Sequence, residues 1–420
     1  MQDATYAVFM WVLYILFLYF AVFWFIVLLE PDKNKERKRR IKEWPSISIL
    51  IPAYNEEDVI ENTIKHVARI DYPKDKLRVI IIDDGSNDNT YREIRRAVKK
   101  YGLTNCKIIR NKENIGKASS LNKALRGVDT ELFITLDADS YPERDAIKQL
   151  VRYMYTHKDL AAVTSSILVG NTSSFIAKLQ WVEYYLMMLT TKILSRIGAQ
   201  YVTPGPLTLF KTKIVKSLGG FDTNNLTEDQ EMAYRLQANR YKIGFCKDSI
   251  VYTYPMDTMY RFYRQRNRWS KGTFLNALKY RHMLFKPRYG DLGMLQIPFN
   301  LLTYIFAFSI LFSFWKFFLK PTWRLLKNLY LVDFDIVTYF KDLNITFSML
   351  DINIQTVFLS GTALLIITSL LLFAFREYRE HPLKEGVLAV LGYITIYSIL
   401  RSIIHLLALI ELSFRKIQRW

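Results

Sequence analysis

Val79-Ile80-Ile81-Ile82-Asp83-Asp84-Gly85-Ser86 is an apolar, β-branched run that stops at two aspartates and a glycine turn. Apolar residues in unbroken succession read as a strand covered on both faces, the kind that fills the middle of a parallel sheet. The same pattern recurs on either side of it. Ile47 to Pro52 is a second apolar run, followed by Ala53-Tyr54-Asn55-Glu56; Cys106 to Arg110 is a third; Glu131 to Leu136 is a fourth and ends at Asp137-Ala138-Asp139. Between them, Glu57 to Arg69, Asp88 to Tyr101 and about Lys117 to Arg126 read as helices. This alternation predicts an α/β domain over residues 45–285, a mostly parallel sheet covered by helices. Ligands of such sheets sit at the carboxyl ends of the strands, and Tyr54, Asp83-Asp84 and Asp137-Asp139 all follow strands. They are therefore expected to form one site.

Half of the 420 residues are hydrophobic, yet the mean hydropathy is only +0.03, so the apolar residues are gathered into segments. Ala7 to Leu29 and Gly293 to Trp315 are uncharged runs long enough to cross about 30 Å of hydrocarbon, and Ile352 to Phe375 is a third candidate. A fourth, Gly386 to Ile410, is interrupted by Arg401 and His405 at helical spacing, and ionisable groups at that depth are costly unless they face protein, water or a headgroup. The expected spans are residues 6–29, 292–318 and 352–375, with 386–412 either transmembrane or re-entrant. The first run has no positive leader and no small-residue cleavage site after it, and reads as a retained anchor.

Lys33, Lys35, Arg37, Lys38, Arg39, Arg40 and Lys42 follow that anchor and place its end in the cytoplasm. Four crossings would then leave the basic C-terminus outside, against the charge bias, so either one segment is re-entrant or the count differs. The formal charge of +19 raises a nucleic-acid partner as a possibility, but the basic residues cluster at membrane flanks, where anionic lipid accounts for them. No nucleic acid is expected. The two cysteines, Cys106 and Cys246, lie far apart with no CxxC, so neither zinc nor an obligatory disulfide is expected.

The second half of the domain has a different texture. Residues 173–195 and 256–285 are aromatic-rich amphipathic stretches, read as helices along the membrane surface or packed on the sheet. Asp137 and Asp139 alternate along an extended end, so their carboxylates face the same way and suit Mg2+ or Mn2+ bridging a diphosphate. Asp84 can accept hydrogen bonds from a base or ribose, Tyr54 can stack on the base, and Lys117 offers a compact charge for phosphate. Thr227 stands where it can cap a helix, with Glu228 and Asp229 in its first turn; a carboxylate there can also deprotonate an acceptor hydroxyl. In Gln265-Arg266-Asn267-Arg268-Trp269, Arg266 and Arg268 can neutralise pyrophosphate and Trp269 offers a face to a sugar ring.

These motifs, in this order, resemble those of the membrane-integrated, processive inverting glycosyltransferases of family 2, the group of cellulose, chitin, hyaluronan and poly-N-acetylglucosamine synthases. The resemblance covers about residues 45–275. It implies a GT-A fold that uses a UDP-sugar, UDP-N-acetylglucosamine or UDP-glucose, with Mg2+ or Mn2+. By the same resemblance Tyr54, Glu56, Asp83, Asp84, Lys117 and Asp137 bind the donor, and Asp137 and Asp139 hold the metal. Asp229, beside Glu228, is the general base. Gln265, Arg266 and Arg268 hold the diphosphate, while Trp269 and Gly205-Pro206 line the acceptor's path. Partners are then the donor, a polysaccharide or lipid-linked acceptor and membrane lipids, in a multi-pass protein of the cell membrane with a cytoplasmic catalytic domain. No PilZ-like domain is expected after the membrane segments, and only Arg415 to Trp420 is expected to play a part comparable to that group's gating loop. A transferase that adds one sugar to a lipid-linked acceptor is the alternative, and a non-catalytic nucleotide-binding membrane protein is a rival of another class.

Overall fold

An N-terminal helix, α1 (Gln2–Leu29), precedes β1 (Ile47–Ala53), a strand buried at every residue, as one covered on both faces must be. The computed structural model describes residues 2–30, 41–157, 159–331, 333–335 and 354–414. The basic run 33–40 and the stretch 415–420 lie outside the described residues. After β1 come α2 (Ile60–Ala68), β2 (Leu77–Asp83), α3 (Thr90–Lys100), β3 (Cys106–Arg110), α4 (Lys117–Arg126) and β4 (Leu132–Thr135). Then follow β5 (Ser140–Pro142), α5 (Ala146–Thr156), β6 (Leu160–Val169), α6 (Phe175–Arg196), β7 (Thr208–Lys211), α7 (Thr212–Ser217), α8 (Glu228–Ala238), β8 (Lys242–Thr253) and α9 (Met259–Lys279).

The eight strands form one sheet in the order β3-β2-β1-β4-β7-β6-β8-β5. β3, β2, β1 and β4 are parallel, as are β6 and β8; β7 runs antiparallel to β4 and β6, and β5 to β8. Strand alternation sorts the core. Ile49, Ile51 and Ile81 face α2 on one side, and Leu50, Ile82 and Phe133 face α4 on the other. From β1 the chain builds outward through β2 and β3, then resumes on the opposite side with β4. Strand order therefore reverses between β1 and β4, and this opens a crevice beyond their carboxyl ends.

Helices α2 and α3 begin later than the sequence pattern predicts, at Ile60 and Thr90 instead of Glu57 and Asp88. The missing turns are spent tying two loops together. Asn55 N–H donates to Ser86 Oγ (3.1 Å), Glu56 N–H to Thr90 Oγ1 (2.7 Å), and Asn89 N–H to Glu57 Oε2 (2.9 Å). The rim of the crevice is thereby fixed by side chains of both loops.

Among the described residues, four helices are long and apolar enough to cross a membrane: Trp11–Leu29 within α1, α10 (Leu292–Leu331), Val357–Glu377 within α11 (Ile354–Glu377), and α12 (Val387–Ser413). α10 continues beyond the expected end at 318, through a π-helical turn at Trp315–Leu319. All four helices touch the α/β domain or its appendages. Arg196 of α6 donates to the Val27 carbonyl at the end of α1 (2.8 Å), and Phe375 of α11 sits 5.0 Å from both Trp181 and Tyr185 of α6. α6 is buried along most of its length between the sheet and α11. α12 lies against α9 and α10: Tyr397 meets Phe262, Glu411 meets Lys271, and His405 meets Tyr304.

Candidate active site

At the end of β2 the two aspartates divide the work. Asp83 turns inward, fully buried, where its carboxylate accepts the Ser86 N–H (3.3 Å) and ion-pairs with Arg110 (3.2 Å). Asp84 accepts from Asn111 Nδ2 (2.7 Å), Ser120 Oγ (2.8 Å) and Ile115 N–H (3.1 Å) on Oδ1, and from Gly116 N–H (2.9 Å) on Oδ2. Four accepted bonds shape the turn into α4 and leave Oδ2 with spare acceptor capacity. Gly116 takes φ +90° there, a conformation that glycine adopts at little cost. Tyr54 is half-buried and directly follows Ala53, the residue that pairs with Asp83 in the β1–β2 ladder, so it stands beside the same strand ends.

The end of β4 carries the strongest charge coupling. Lys117 Nζ, at the start of α4, lies 2.6 Å from Asp137 Oδ1 and 3.4 Å from Glu228 Oε1. Burial alone would lower the ammonium's pKa, but Asp137, Glu228 and Asp229 reverse that and hold it above its usual range. One lysine thus joins two motifs that lie 91 residues apart in sequence, 228 − 137. Asp139 has its pKa pushed up to about 6, by burial first and then by Asp137, and Glu56 is pushed to about 8 by burial, Asp139 and Asp137. These carboxylates repel one another and favour a cation between them. Among the described residues no cluster of three His, Cys, Asp or Glu side chains forms a complete metal cage. Asp137 and Asp139 fit a hard divalent ion, which would need further oxygen donors from a ligand or water.

Gly205 presses against this pair. A Cβ there would lie 2.4 Å from Asp137 Oδ2 and 2.6 Å from Lys117 Nζ, so only glycine lets the 203–206 segment close over the site. The same segment is anchored on the other side, where Thr203 donates to the Asp229 carbonyl from Oγ1 (2.7 Å) and from N–H (3.2 Å). Asp229 Oδ1 accepts the Gln230 N–H (2.8 Å), and Oδ2 accepts no such bond among the described residues. Burial and then Glu228 push the Asp229 pKa up to about 6, while Lys117 and Arg268 pull the other way.

Thr227 occupies the N-cap position of α8 without capping it through its hydroxyl, contrary to the expectation. Its Oγ1 is used instead by Asn276 of α9, which donates to it (3.0 Å). A Cβ at Gly272 would lie 2.2 Å from that oxygen, so α9 reaches the Thr-Glu-Asp turn because residue 272 has no side chain. Arg268 donates to the Leu226 carbonyl (3.1 Å) and acts electrostatically on Asp229, which sets it at the crevice.

Arg266 is a correction. Instead of standing free for a diphosphate, it is fully buried, ion-pairs with Glu183 of α6, donates to Gln265 Oε1, and lays its guanidinium 4.0 Å from the Trp269 ring centroid. It lies one helical turn after Phe262, on the face of α9 that packs against α6 and α12, and so it points inward. Trp269 is thus backed on one side by a cation. The sequence reading missed Glu183, Thr203, Asn111 and Ser120. None carries a motif, and only Gly272, a glycine inside a helix, leaves a local sign that two backbones approach.

Residues 45–272 match the family model described as "Glycosyltransferase like family 2". Among curated relatives, the poly-beta-1,6-N-acetyl-D-glucosamine synthase of Staphylococcus aureus (strain MSSA476) is 30% identical over 251 residues, 60% of this chain and 60% of that protein. The probable glycosyltransferase YdaM of Bacillus subtilis (strain 168) is 29% identical over 286 residues, 66% and 65% of the two chains. The match thus spans less than two thirds of either relative. Among solved structures, the mannosyltransferase PcManGT from Pyrobaculum calidifontis, in complex with GDP-Man and Mn2+, superimposes with a TM-score of 0.55 at 21% identity. That likeness covers 78% of this chain and 95% of the other, and shows a shared GT-A-like fold. With a family model matched across the whole crevice-bearing domain, this chain belongs to glycosyltransferase family 2.

Proposed function

We propose that the protein is an inverting membrane glycosyltransferase that moves a sugar from a UDP-sugar to a growing polysaccharide. UDP-N-acetylglucosamine is the favoured donor, in keeping with the named activity of the 30% identical relative. The observation that carries the reading is the Lys117 bridge, which brings Asp137 and Glu228 to one ammonium and sets Asp229 beside it. Donor-side and acceptor-side carboxylates thereby share one crevice. In this reading the catalytic domain is on the cytoplasmic side, where UDP-sugars are made available, and export of the product is coupled to its synthesis at the membrane helices.

In this mechanism Tyr54 and Asp84 seat the base and ribose, and Lys117 and Arg268 take up phosphate charge. Asp229 receives the proton of the acceptor hydroxyl on the oxygen not engaged by Gln230, and that hydroxyl's oxygen attacks the anomeric carbon as UDP departs. Mg2+ or Mn2+ on Asp137 and Asp139 would supply Lewis-acid charge for the leaving diphosphate. Trp269, backed by Arg266, presents its ring to the acceptor sugar. UDP release measured with UDP-N-acetylglucosamine, UDP-glucose, UDP-galactose and GDP-mannose tests the donor assignment. Turnover with UDP-N-acetylglucosamine at least about tenfold above the others supports it, a ratio that donor contacts commonly give; preference for GDP-mannose contradicts it.

Two further outcomes follow from the geometry. Gly272→Ala forces α9 off the Thr227 turn and should lower kcat roughly 10- to 100-fold, the scale of an ångström-sized misplacement, with UDP affinity kept. Unchanged kcat in this variant would mean that the α8–α9 contact does not set the site. A general base must be ionised, so kcat/KM at saturating Mn2+ should fall as pH drops through about 6, the Asp229 value, and level off above it. A profile that is flat down to about pH 5, well below that value, would separate Asp229 from the proton transfer.

A further inference from the structure

Gln180 and Glu183 of α6, three residues apart and so on one face of that helix, hold the first half of α9. Gln180, fully buried, accepts the Met256 N–H (3.1 Å) and donates to the Met256 carbonyl (2.7 Å), just before α9 begins. Glu183 pairs with Arg266 further along α9. The second half of α9 is held elsewhere, where Asn276 donates to Thr227 at the start of α8 (3.0 Å). Trp269 stands between these two moorings, half-buried, with Gln265 one helical turn before it.

Arg266 connects Glu183 to that ring. Its guanidinium is fully buried and lies 4.0 Å from the Trp269 ring centroid and 5.1 Å from that of Phe262, within cation–π range of both. It also donates to Gln265 Oε1. A guanidinium only donates, so the Gln265 amide must give it the oxygen and turn its nitrogen away. Stability alone does not call for this arrangement, because well-packed apolar residues in place of a buried ion pair are often neutral or better. What the pair adds is direction. The planar fork, held by a carboxylate, fixes the cation against which the indole rests. With residue 183 neutral, the buried guanidinium has lost its counter-charge, a costly state that it relieves by moving, and the ring then loses its support.

We infer that Glu183 is a positioning residue that sets the Trp269 ring through Arg266, and thereby the affinity for the acceptor sugar. The inference rests on the reading of Trp269 as the face that meets the acceptor. The full chain in lipid, with Mn2+ and UDP-N-acetylglucosamine, is titrated with a β-1,6-linked N-acetylglucosamine tetrasaccharide as added acceptor. Glu183→Gln should raise the KM for that acceptor about tenfold, the scale of one desolvated cation–π contact, and leave the donor KM within about twofold. Glu183→Asp, which keeps the charge, should recover part of the loss. Arg266→Met should raise the acceptor KM as much, and adding Glu183→Gln to it should change that KM by less than about twofold, because the two residues act through one contact. The double variant holds no unpaired buried charge from this pair, so this comparison stands even where Glu183→Gln alone does not fold. In protein labelled with 5-fluorotryptophan and free of sugars, the fluorine resonance that is lost in Trp269→Phe should move in Glu183→Gln. A resonance that stays in place, donor and acceptor KM that rise together, or a larger effect in the double variant would overturn the inference. If Trp269→Ala raises the acceptor KM and Glu183→Gln does not, the inference alone fails; if Trp269→Ala leaves that KM unchanged, the acceptor reading fails with it.

Discussion

Asp229→Asn is expected to lower kcat by about 10³-fold, within the range that loss of a general base costs, while UDP affinity stays within about twofold of the wild type. The asymmetry follows from position. Asp229 is tied to the 203–206 segment through its carbonyl and feels both Lys117 and Arg268, whereas Asp137, proposed above to hold the cation with Asp139, is ion-paired with Lys117. The same variant should be more stable than the wild type at about pH 8, where the aspartate is ionised in both states. The folded-state pKa of about 6 lies above the usual aspartate value of about 3.9, so the protonated form is the one the fold favours. That stabilisation is full below about pH 4 and is lost as pH rises through about 6; a neutral Asn retains it at high pH. Thermal melts at about pH 4 and about pH 8 check the sign. A variant that loses UDP binding, or one that is less stable only at the higher pH, would count against the role given to Asp229.

Asp139→Ala is expected to have an effect of similar size by a different route. Transfer should fall to the level seen with excess EDTA, and the strengthening of UDP-sugar binding by Mn2+ should disappear. Asp137 keeps its ion pair with Lys117 in this variant, so the crevice remains assembled and metal-independent UDP binding should persist. Calorimetric titration of UDP with and without Mn2+ distinguishes the two contributions. Retention of a metal-dependent increment in Asp139→Ala would remove this residue from the cation site.

The fold was legible where the physics is local. β1, β2, β3 and β4 are runs that bury both faces, and such runs can carry few polar residues, so their boundaries fall within about a residue or two of the pattern. The crevice was legible for the same reason, since polar residues directly after buried strands mark their carboxyl ends. Arg266 was misread because composition reports a charge but not which way it points. Its direction is set by Glu183, a single acid in an apolar helix 83 residues earlier, and nothing in the spacing of either residue announces the other. Asp84 was read by its chemistry alone. The structure shows most of its acceptor capacity already used to shape the turn into α4, so its proposed part in nucleotide binding is shared with the backbone it organises. α12 shows the same limit in the membrane region. Its length suits a crossing, but the ties from Tyr397 and Glu411 to α9 are tertiary facts that hydropathy does not contain.

The most direct test of the central claim is the size of the product. Purified protein in lipid, supplied with Mg2+ or Mn2+ and labelled UDP-N-acetylglucosamine, is expected to yield a high-molecular-weight polymer with one UDP released per sugar incorporated. A product that stops at a single sugar on an added lipid acceptor, with no longer species at any donor concentration, would contradict polysaccharide synthesis and leave a single-transfer enzyme in its place.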